Sequence, residues 1–383
     1  MPAESLSIRK VETRADFQAF FEFPWTRYKD DPNWVPPLLS QRRELLDQEK
    51  AAHWEYMEGD YYAAWRGSRI VGTIAAFVNH RHNDYWKEHI AWFGVFEVLD
   101  DTEAAHGLLD KAAEWARSRG YDALRGPANF TLHDECGLLI QNFSPPVILM
   151  PYNPPSYQGY IESAGFEKLM DVYSLYYDRE LGARVGFEQR IRKLAERAMK
   201  RSEITIHKID IRRKKEEFAL LRDLYNDAWL QNWGFVPMTD RELDALVENL
   251  GQFFDPDLAF FAQVKGEPAG FALALPNLSE ALQRAYPRPG TPELLTLLKA
   301  LWHWRLRPSI VGSRMPLLGV KSEFRNRGVD LALMLAVFDA LHPSRYRYLD
   351  SGWVLETNDL MKIMNNLGLE SYKTHRFYQK PLR

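Results

Sequence analysis

Four side chains able to move a proton, hold a cation or attack a carbonyl stand in one run, His133-Asp134-Glu135-Cys136, after a Gly126-Pro127 break and Asn129-Phe130-Thr131. Histidine titrates near neutrality, so His133 suits a general base that takes a proton from an amine, with Asp134 or Glu135 to orient it. Glu135 could instead hold the ammonium before its proton leaves. The plainer reading makes His133 a polar turn residue and Asp134 the cap of the following turn. Cys136 is the single cysteine of the chain. As a small buried apolar residue it needs no further role, which outweighs the nucleophile reading. Asn129 is either a substrate hydrogen-bonder or a turn residue.

A second group is cationic. The apolar run Leu317-Leu318-Gly319-Val320 leads to Arg325-Asn326-Arg327-Gly328-Val329-Asp330 and then to a long apolar stretch. A strand that enters a helix through such a loop offers unpaired N–H groups and positive partial charge to an anion. Gly328 permits close approach of a phosphate, and the two arginines add fixed charge. Asp330 either faces that anion or caps the helix.

These groups are positioned by elements that occur twice. Tyr61–Trp65, the turn Arg66-Gly67-Ser68-Arg69 and Ile70–Phe77 read as a hairpin, and Phe260–Val264, Lys265-Gly266-Glu267-Pro268 and Ala269–Leu273 repeat it. Ala164-Gly165-Phe166-Glu167 leads into an aromatic strand at Val172–Tyr177. Leu367-Gly368-Leu369-Glu370 does the same before Thr374–Tyr378. Landmarks recurring at nearly one offset indicate a duplicated domain. The second copy reads as Ile204–Ile209, Glu216–Trp229, Arg241–Leu250, the hairpin, Ser309–Val320, Val329–Leu341, Tyr346–Gly352, Asp359–Asn366 and Ser371–Gln379. In the first copy, Ile90–Leu99 and Glu103–Arg119 take the places of the central strand and the anion-site helix. Strands interleaved with helices give an α/β fold with a mixed sheet. The expected domains are 1–180 and 203–383, joined by a linker helix over 181–202.

Arg325 and Gly328 match the pyrophosphate loop of the GNAT acyl-CoA N-acyltransferases, Gln/Arg-x-x-Gly-x-Gly/Ala, with Asp330 at a position where that family has a small residue. The element order and the Gly-(Phe/Leu)-Glu ending before each last strand also resemble that fold. Arg125, Gly126, Pro127, Asn129, Phe130, Glu135 and Gly137, with Met150, Pro151, Asn153, Pro154, Pro155 and Tyr157, resemble the signature of a bacterial double-GNAT group. The bacterial ceramide synthases, which acylate a sphingoid-base amine, look like relatives of that group. The resemblance implies two tandem GNAT-like domains and an acyl-CoA co-substrate held by Val320, Arg325, Asn326, Arg327, Gly328 and Val329. It also implies a primary-amine acceptor, with His133, Asp134 and Glu135 as catalytic candidates and Asn129 and Tyr157 as substrate contacts. The first copy reads Asp100-Asp101-Thr102-Glu103 where a pyrophosphate would lie, so one coenzyme site per chain is expected, in the C-terminal half. The tyrosine that many GNAT enzymes use as general acid is replaced by Met364, and by Ile161 in the first copy. Tyr157, Tyr160, Tyr372 and Tyr378 are the substitutes.

Composition narrows the remaining choices. The 383 residues are 46% apolar and 26% charged, with a net charge of −3, which argues against a general nucleic-acid binder. No apolar run approaches the roughly 20 residues needed to span a bilayer. One cysteine fits a reducing compartment, so a cytoplasmic protein is expected. The 12 tryptophans suit a core and a large apolar cleft. Ile191, Leu194, Ala198 and Met199 form a helical stripe beneath basic residues. A docked linker helix is the plain reading, and a peripheral membrane contact the sharper one. His80-Arg81-His82-Asn83-Asp84, with His89, reads as a solvated loop and not a metal site; no metal is expected. Trp302-His303-Trp304-Arg305-Leu306-Arg307 could stack on nucleotides or insert at a lipid interface; a helix over an acyl cleft is the preferred reading, with core packing next. Two rival classes remain: a non-catalytic acyl-CoA or lipid binder, and an aminoacyl-tRNA-dependent transferase.

Overall fold

Alternating apolar runs and polar turns decide most element boundaries, as the computed structural model shows; it describes residues 4–230, 232–253, 255–307 and 309–383. After strand β1 (Leu6–Lys10), helix α1 (Arg14–Arg27) starts at a reciprocal capping box between Thr13 and Asp16. Helix α2 (Leu39–Leu46) precedes the hairpin of β2 (Met57–Arg66) and β3 (Arg69–Asn79), whose turn needs Gly67 at φ +57°. Next come α3 (His80–Trp86), β4 (Ile90–Val98), α4 (Thr102–Ser118), β5 (Ala123–Gly126), β6 (Leu138–Gln141), α5 (Ser156–Ser163) and β7 (Glu167–Asp178). The His80–Asp84 segment is thus a helix and not the expected loop. Asn79 accepts from the backbone of His82 and caps it.

Helices α6 (Arg179–Val185) and α7 (Phe187–Ser202) meet at Gly186, in the left-handed region at φ +64°. The second half then runs β8 (Ile204–Lys208), α8 (Lys214–Trp229), α9 (Asp240–Phe253), β9 (Ala259–Val264), β10 (Glu267–Pro276), α10 (Ser279–Ala285) and α11 (Glu293–Leu301). It ends with β11 (Gly312–Val320), α12 (Val329–Leu341), β12 (Tyr348–Leu355), α13 (Asp359–Asn366) and β13 (Ser371–Pro381). Asn358 caps α13 through the Leu360 amide.

Contacts group these elements into two units that do not follow the sequence copies. Unit 1 holds Met1–Val172, Ala281–Trp302 and Lys373–Arg383; unit 2 holds Tyr173–Glu280 and His303–Tyr372. In unit 1, β1 to β5 lie side by side, antiparallel except for the parallel β4–β5 pair, and β13 pairs with both β5 and β6. The last strand of the second copy therefore belongs to unit 1, with Tyr378 opposite Gly126. Helix α4 packs on the sheet through Ala104, Ala105, Leu108, Leu109, Ala112, Ala113 and Trp115. Its alanines let the helix lie close to Ala64, Ala76 and Ala91.

In unit 2, β12, β11, β10, β9 and β8 are neighbours in that order, with β11–β12 parallel. The linker segment is part of this unit. The face of α7 that is buried carries Phe187, Ile191, Ala195 and Ala198, with Phe187 against Phe338 of α12 at 5.1 Å between ring centroids. Leu194, expected in that stripe, is 40% exposed instead. Arg192 pairs with Asp339 on α12, so part of the basic face serves docking.

Candidate functional site

The two central strand pairs open differently. In unit 2 the β11–β12 ladder runs from Gly312↔Tyr348 to Met315↔Ser351 and stops, although the strands continue to Val320 and Leu355. Pro316 follows at once, and proline has no N–H with which to continue a ladder. The other edge of β11 stays paired with β10 from Leu273↔Leu317 to Gly270↔Val320.

Beyond Val320 the chain makes a short 3-10 turn, Ser322–Phe324, held by bonds from the Ser322 amide and hydroxyl to Asp227 at 3.1 and 3.3 Å. The two arginines then part company. Arg325 turns inward and its Nη2 donates to the Ala228 carbonyl at 2.8 Å, whereas Arg327 is exposed, 5.2 Å from the Phe324 ring. Asn326, also exposed, holds φ +61°. Gly328 is the N-cap residue of α12 at φ +85°, and no side chain caps that helix. A Cβ on Gly328 would meet the Ala198 methyl at 2.4 Å, so helix packing as well as backbone freedom demands glycine. Val329 is buried. Burial raises the pKa of Asp330, against the pull of the Leu331 amide and its own.

In unit 1 the corresponding opening is filled. The β4–β5 ladder spans Ile90↔Ala123 to Trp92↔Arg125, and the following loop then stays against β4. The Ala128 amide donates to the Phe93 carbonyl at 3.0 Å, and the Val95 amide donates to Asn129 Oδ1 at 3.1 Å. A Cβ on Gly94 would fall 1.7 Å from the Ala128 carbonyl, so Gly94 is required for this approach. The N-terminus of α4 is filled too. Asp101 accepts from the Ala104 amide at 3.0 Å, and Arg66 holds both Asp101 and Glu103. The carboxylates that were expected to repel a phosphate here serve as the cap and as partners of Arg66.

The loop itself is a tight hairpin. Asn129 N–H donates to the Glu135 carbonyl at 3.0 Å, Gly137 N–H to the Pro127 carbonyl at 2.8 Å, and Ala128 bridges Cys136. Asp134 Oδ2 accepts from the Thr131 hydroxyl at 2.6 Å, and the His133 amide donates to that hydroxyl at 3.1 Å. His133 is half-buried, Glu135 exposed and Cys136 buried. The motif asparagine Asn153 clasps Leu139 from both sides, accepting from its amide at 2.7 Å and donating to its carbonyl at 3.1 Å.

A cluster that motif reading misses lies in unit 1. Glu97 sits on β4 as the single charged residue of an otherwise apolar strand. Its Oε2 accepts from the Tyr28 hydroxyl at 2.7 Å and from the Tyr157 hydroxyl at 2.9 Å. The Val98 amide donates to the Tyr157 oxygen at 2.7 Å, and Tyr28 stacks on Trp34 at 5.0 Å. The Arg27 guanidinium is 5.7 Å from the Tyr157 ring. Burial pushes the Glu97 carboxyl up to about 7, although the two tyrosine bonds and the charges of Arg42 and Arg27 pull it down. Burial also holds both tyrosines well above their ordinary value, so they stay protonated donors. A carboxyl that titrates near neutrality, on a residue that keeps partial solvent contact, can accept a proton from an amine. The available signal was a lone glutamate inside Ile90–Val98.

The other proposed acids have partners of their own. Tyr372 donates to Asp350 at 2.5 Å and Tyr378 to Glu162 at 2.9 Å, while Met364 and Ile161 are fully buried. His82, expected in a solvated loop, is instead buried, 2.9 Å from Glu88.

No family model matches the chain. It is 32% identical over 397 aligned residues to the bacterial ceramide synthase of Caulobacter vibrioides (strain NA1000 / CB15N), covering all of both chains. It is 31% identical over 382 residues to protein YghO of Escherichia coli (strain K12), covering 98% of this chain and 95% of that one. Among solved structures, a tandem GNAT protein from the clavulanic acid biosynthesis pathway aligns with a TM-score of 0.53 at 12% identity, over 99% of both chains. A GCN5-related N-acetyltransferase from Sphaerobacter thermophilus aligns with a TM-score of 0.51 at 11% identity, over 99% of this chain and 96% of that one. These structures show the tandem GNAT fold.

Proposed function

The chain belongs to the family of the Caulobacter bacterial ceramide synthase and protein YghO, and from that premise we propose that it transfers an acyl group from acyl-CoA to a primary amine. The acceptor we favour is a long-chain lipid base, a reading supported by the name of the Caulobacter relative.

The observation that carries the coenzyme assignment is the parting of β11 from β12 after Met315↔Ser351, which ends at an uncapped helix N-terminus. Backbone groups along Val320 and the amides at Gly328 and Val329 suit a pantetheine arm and a pyrophosphate. Arg327 and Asn326 are exposed to meet phosphate, and Arg325 shapes the loop through Ala228. Asp330 lies in the first turn of that helix, where burial raises its pKa. The closed opening of unit 1 supports one coenzyme site per chain.

In the reaction the amine nitrogen attacks the thioester carbonyl, the C–N bond forms, the C–S bond breaks, and the amine's proton must leave. Within unit 1, Glu97 is poised near neutrality to accept a proton from an amine, with the Tyr28 and Tyr157 hydroxyls fixing its carboxyl. His133, Asp134 and Glu135, the catalytic candidates of the sequence, lie on the Asn129–Gly137 hairpin, which Asn129 holds to Val95, and we assign that hairpin to the acceptor side.

Native mass spectrometry of the protein with an equimolar pool of short- to long-chain acyl-CoAs tests this reading. Selective retention of one chain length, lost in Arg327→Ala, supports it. Retention of no acyl-CoA overturns the coenzyme assignment, and retention without turnover of any amine moves the non-catalytic binder ahead.

A further inference from the structure

Helix α11 is turned inside out. Thr296 is 2% exposed and Glu293 and Ala300 are half-buried, whereas Leu294 is 67%, Leu295 50%, Leu297 42%, Leu298 54% and Leu301 46% exposed. Glu293, Thr296 and Ala300 recur at three- and four-residue spacing, the period of one helix face. The face carrying a carboxylate, a hydroxyl and a methyl is therefore the one packed inward, and the leucines face out. Trp302 follows at 51% exposure, and Leu306, at the end of the next turn, at 70%.

This orientation is held by specific bonds within unit 1. The Glu293 carboxylate accepts from the Ser40 amide at 2.9 Å and from its hydroxyl at 2.5 Å. Just upstream, the Trp25 indole donates to the Pro287 carbonyl at 2.7 Å, and Gln283 donates to the Pro32 carbonyl at 2.8 Å. Rotating α11 to hide its leucines would turn Glu293 outward, away from Ser40.

Charge identifies what covers the leucines. From Leu294 to Arg307 the sequence contains Lys299, Arg305 and Arg307 and no acidic residue, and all three cations are exposed. A second copy of this face would bring like charges together. An anionic lipid surface offers both an apolar layer for leucines and tryptophan and phosphates for the cations. Among the described residues no helix is long and apolar enough to cross a membrane, so the contact is interfacial.

We propose that α11 seats this protein on the surface of an anionic bilayer, leucines in the acyl boundary and Lys299 at the phosphates, with Arg305 and Arg307 following in the sequence as further cations. The inference does not depend on the acyl-transfer reading.

Vesicle flotation tests it, with phosphatidylcholine vesicles alone and with vesicles carrying about 30% phosphatidylglycerol. The wild type should float with the anionic vesicles and lose binding as salt rises. Leu294→Gln/Leu298→Gln/Leu301→Gln should bind roughly tenfold less, and Lys299→Ala/Arg305→Ala/Arg307→Ala should lose the preference for anionic lipid. Because these side chains are exposed, both variants should keep the wild-type circular dichroism and melting temperature. The proposal is overturned if the wild type stays off anionic vesicles, or if the glutamine variant floats as well as the wild type. It is equally overturned if sedimentation velocity shows a leucine-dependent dimer that ignores vesicles.

Discussion

The phenolic oxygen of Tyr157 stands 2.9 Å from Oε2 of Glu97, the same oxygen that takes the Tyr28 hydroxyl at 2.7 Å. Two hydroxyls, one from the C-cap of α1 and one from α5, thus converge on one carboxylate oxygen of β4, and no described residue donates to Oε1 of Glu97. Two protonated tyrosines on one side of the carboxylate leave the other oxygen to receive a proton. Burial sets the carboxyl near 7, where it can take and return a proton under neutral conditions.

Glu97→Gln should lower amine acylation by roughly 10²–10⁴-fold and remove a limb of the pH–rate profile near pH 7. Stability gives a second readout. The folded pKa lies above the ordinary glutamate value of 4.5, so the native state holds the proton that the unfolded state releases. Stability is therefore full below about pH 4.5 and falls as pH rises towards about 7, by on the order of 1–3 kcal/mol; the Gln variant should lack this fall. Denaturant unfolding across that range measures it.

Arg325 and Arg327 should separate cleanly. Arg327→Ala should weaken acyl-CoA binding about tenfold with an unchanged melting temperature, since its guanidinium is exposed. Arg325→Ala removes the bond to Ala228 and should lower the melting temperature first, with coenzyme affinity falling as a consequence. Calorimetric titration beside thermal melts distinguishes the two patterns.

Gly328→Ala should cost about 1–3 kcal/mol, from a side chain at φ +85° and from the collision with Ala198. Adding Ala198→Gly should recover the packing part and leave the backbone part. A double-mutant cycle by urea unfolding reads the coupling.

Arg125 is nearly fully buried, with Nη1 and Nη2 on the two oxygens of Glu88 at 2.8 and 2.9 Å. Burial alone would raise Glu88, but the bonds from His82 and Arg125 bring it down to about 2. The stability it contributes is present above about pH 4.5 and is lost as pH falls towards about 2. Glu88→Ala, which leaves Arg125 its bonds to Gln379 but no carboxylate, should cost about 1–3 kcal/mol at neutral pH, and its deficit should shrink in acid.

The hairpin turns at Gly67 and Gly266 and the helix Val329–Leu341 were all legible, because each depends on local spacing and turn chemistry. Other features depend on packing between distant segments. Tyr28 and Glu97 are 69 residues apart, and nothing local links them. The turning of Arg325 towards Ala228, 97 residues earlier, distinguishes two arginines that look alike in sequence. The unit membership of β13 escaped for the same reason, since a strand's pattern does not name its partner. In α11 the bonds from Ser40 that fix which face turns inward were not readable, because Ser40 lies 253 residues from Glu293.

The most direct measurement is product formation. The purified protein is incubated with the acyl-CoA it retains and a panel of primary amines from small amines to a long-chain sphingoid base. Free coenzyme A is followed by thiol titration and the N-acyl product by mass spectrometry. The proposed function predicts stoichiometric thiol and amide with the long-chain base, and their loss in Glu97→Gln under conditions where acyl-CoA is still retained. Retained acyl-CoA with neither thiol nor amide from any amine would contradict it.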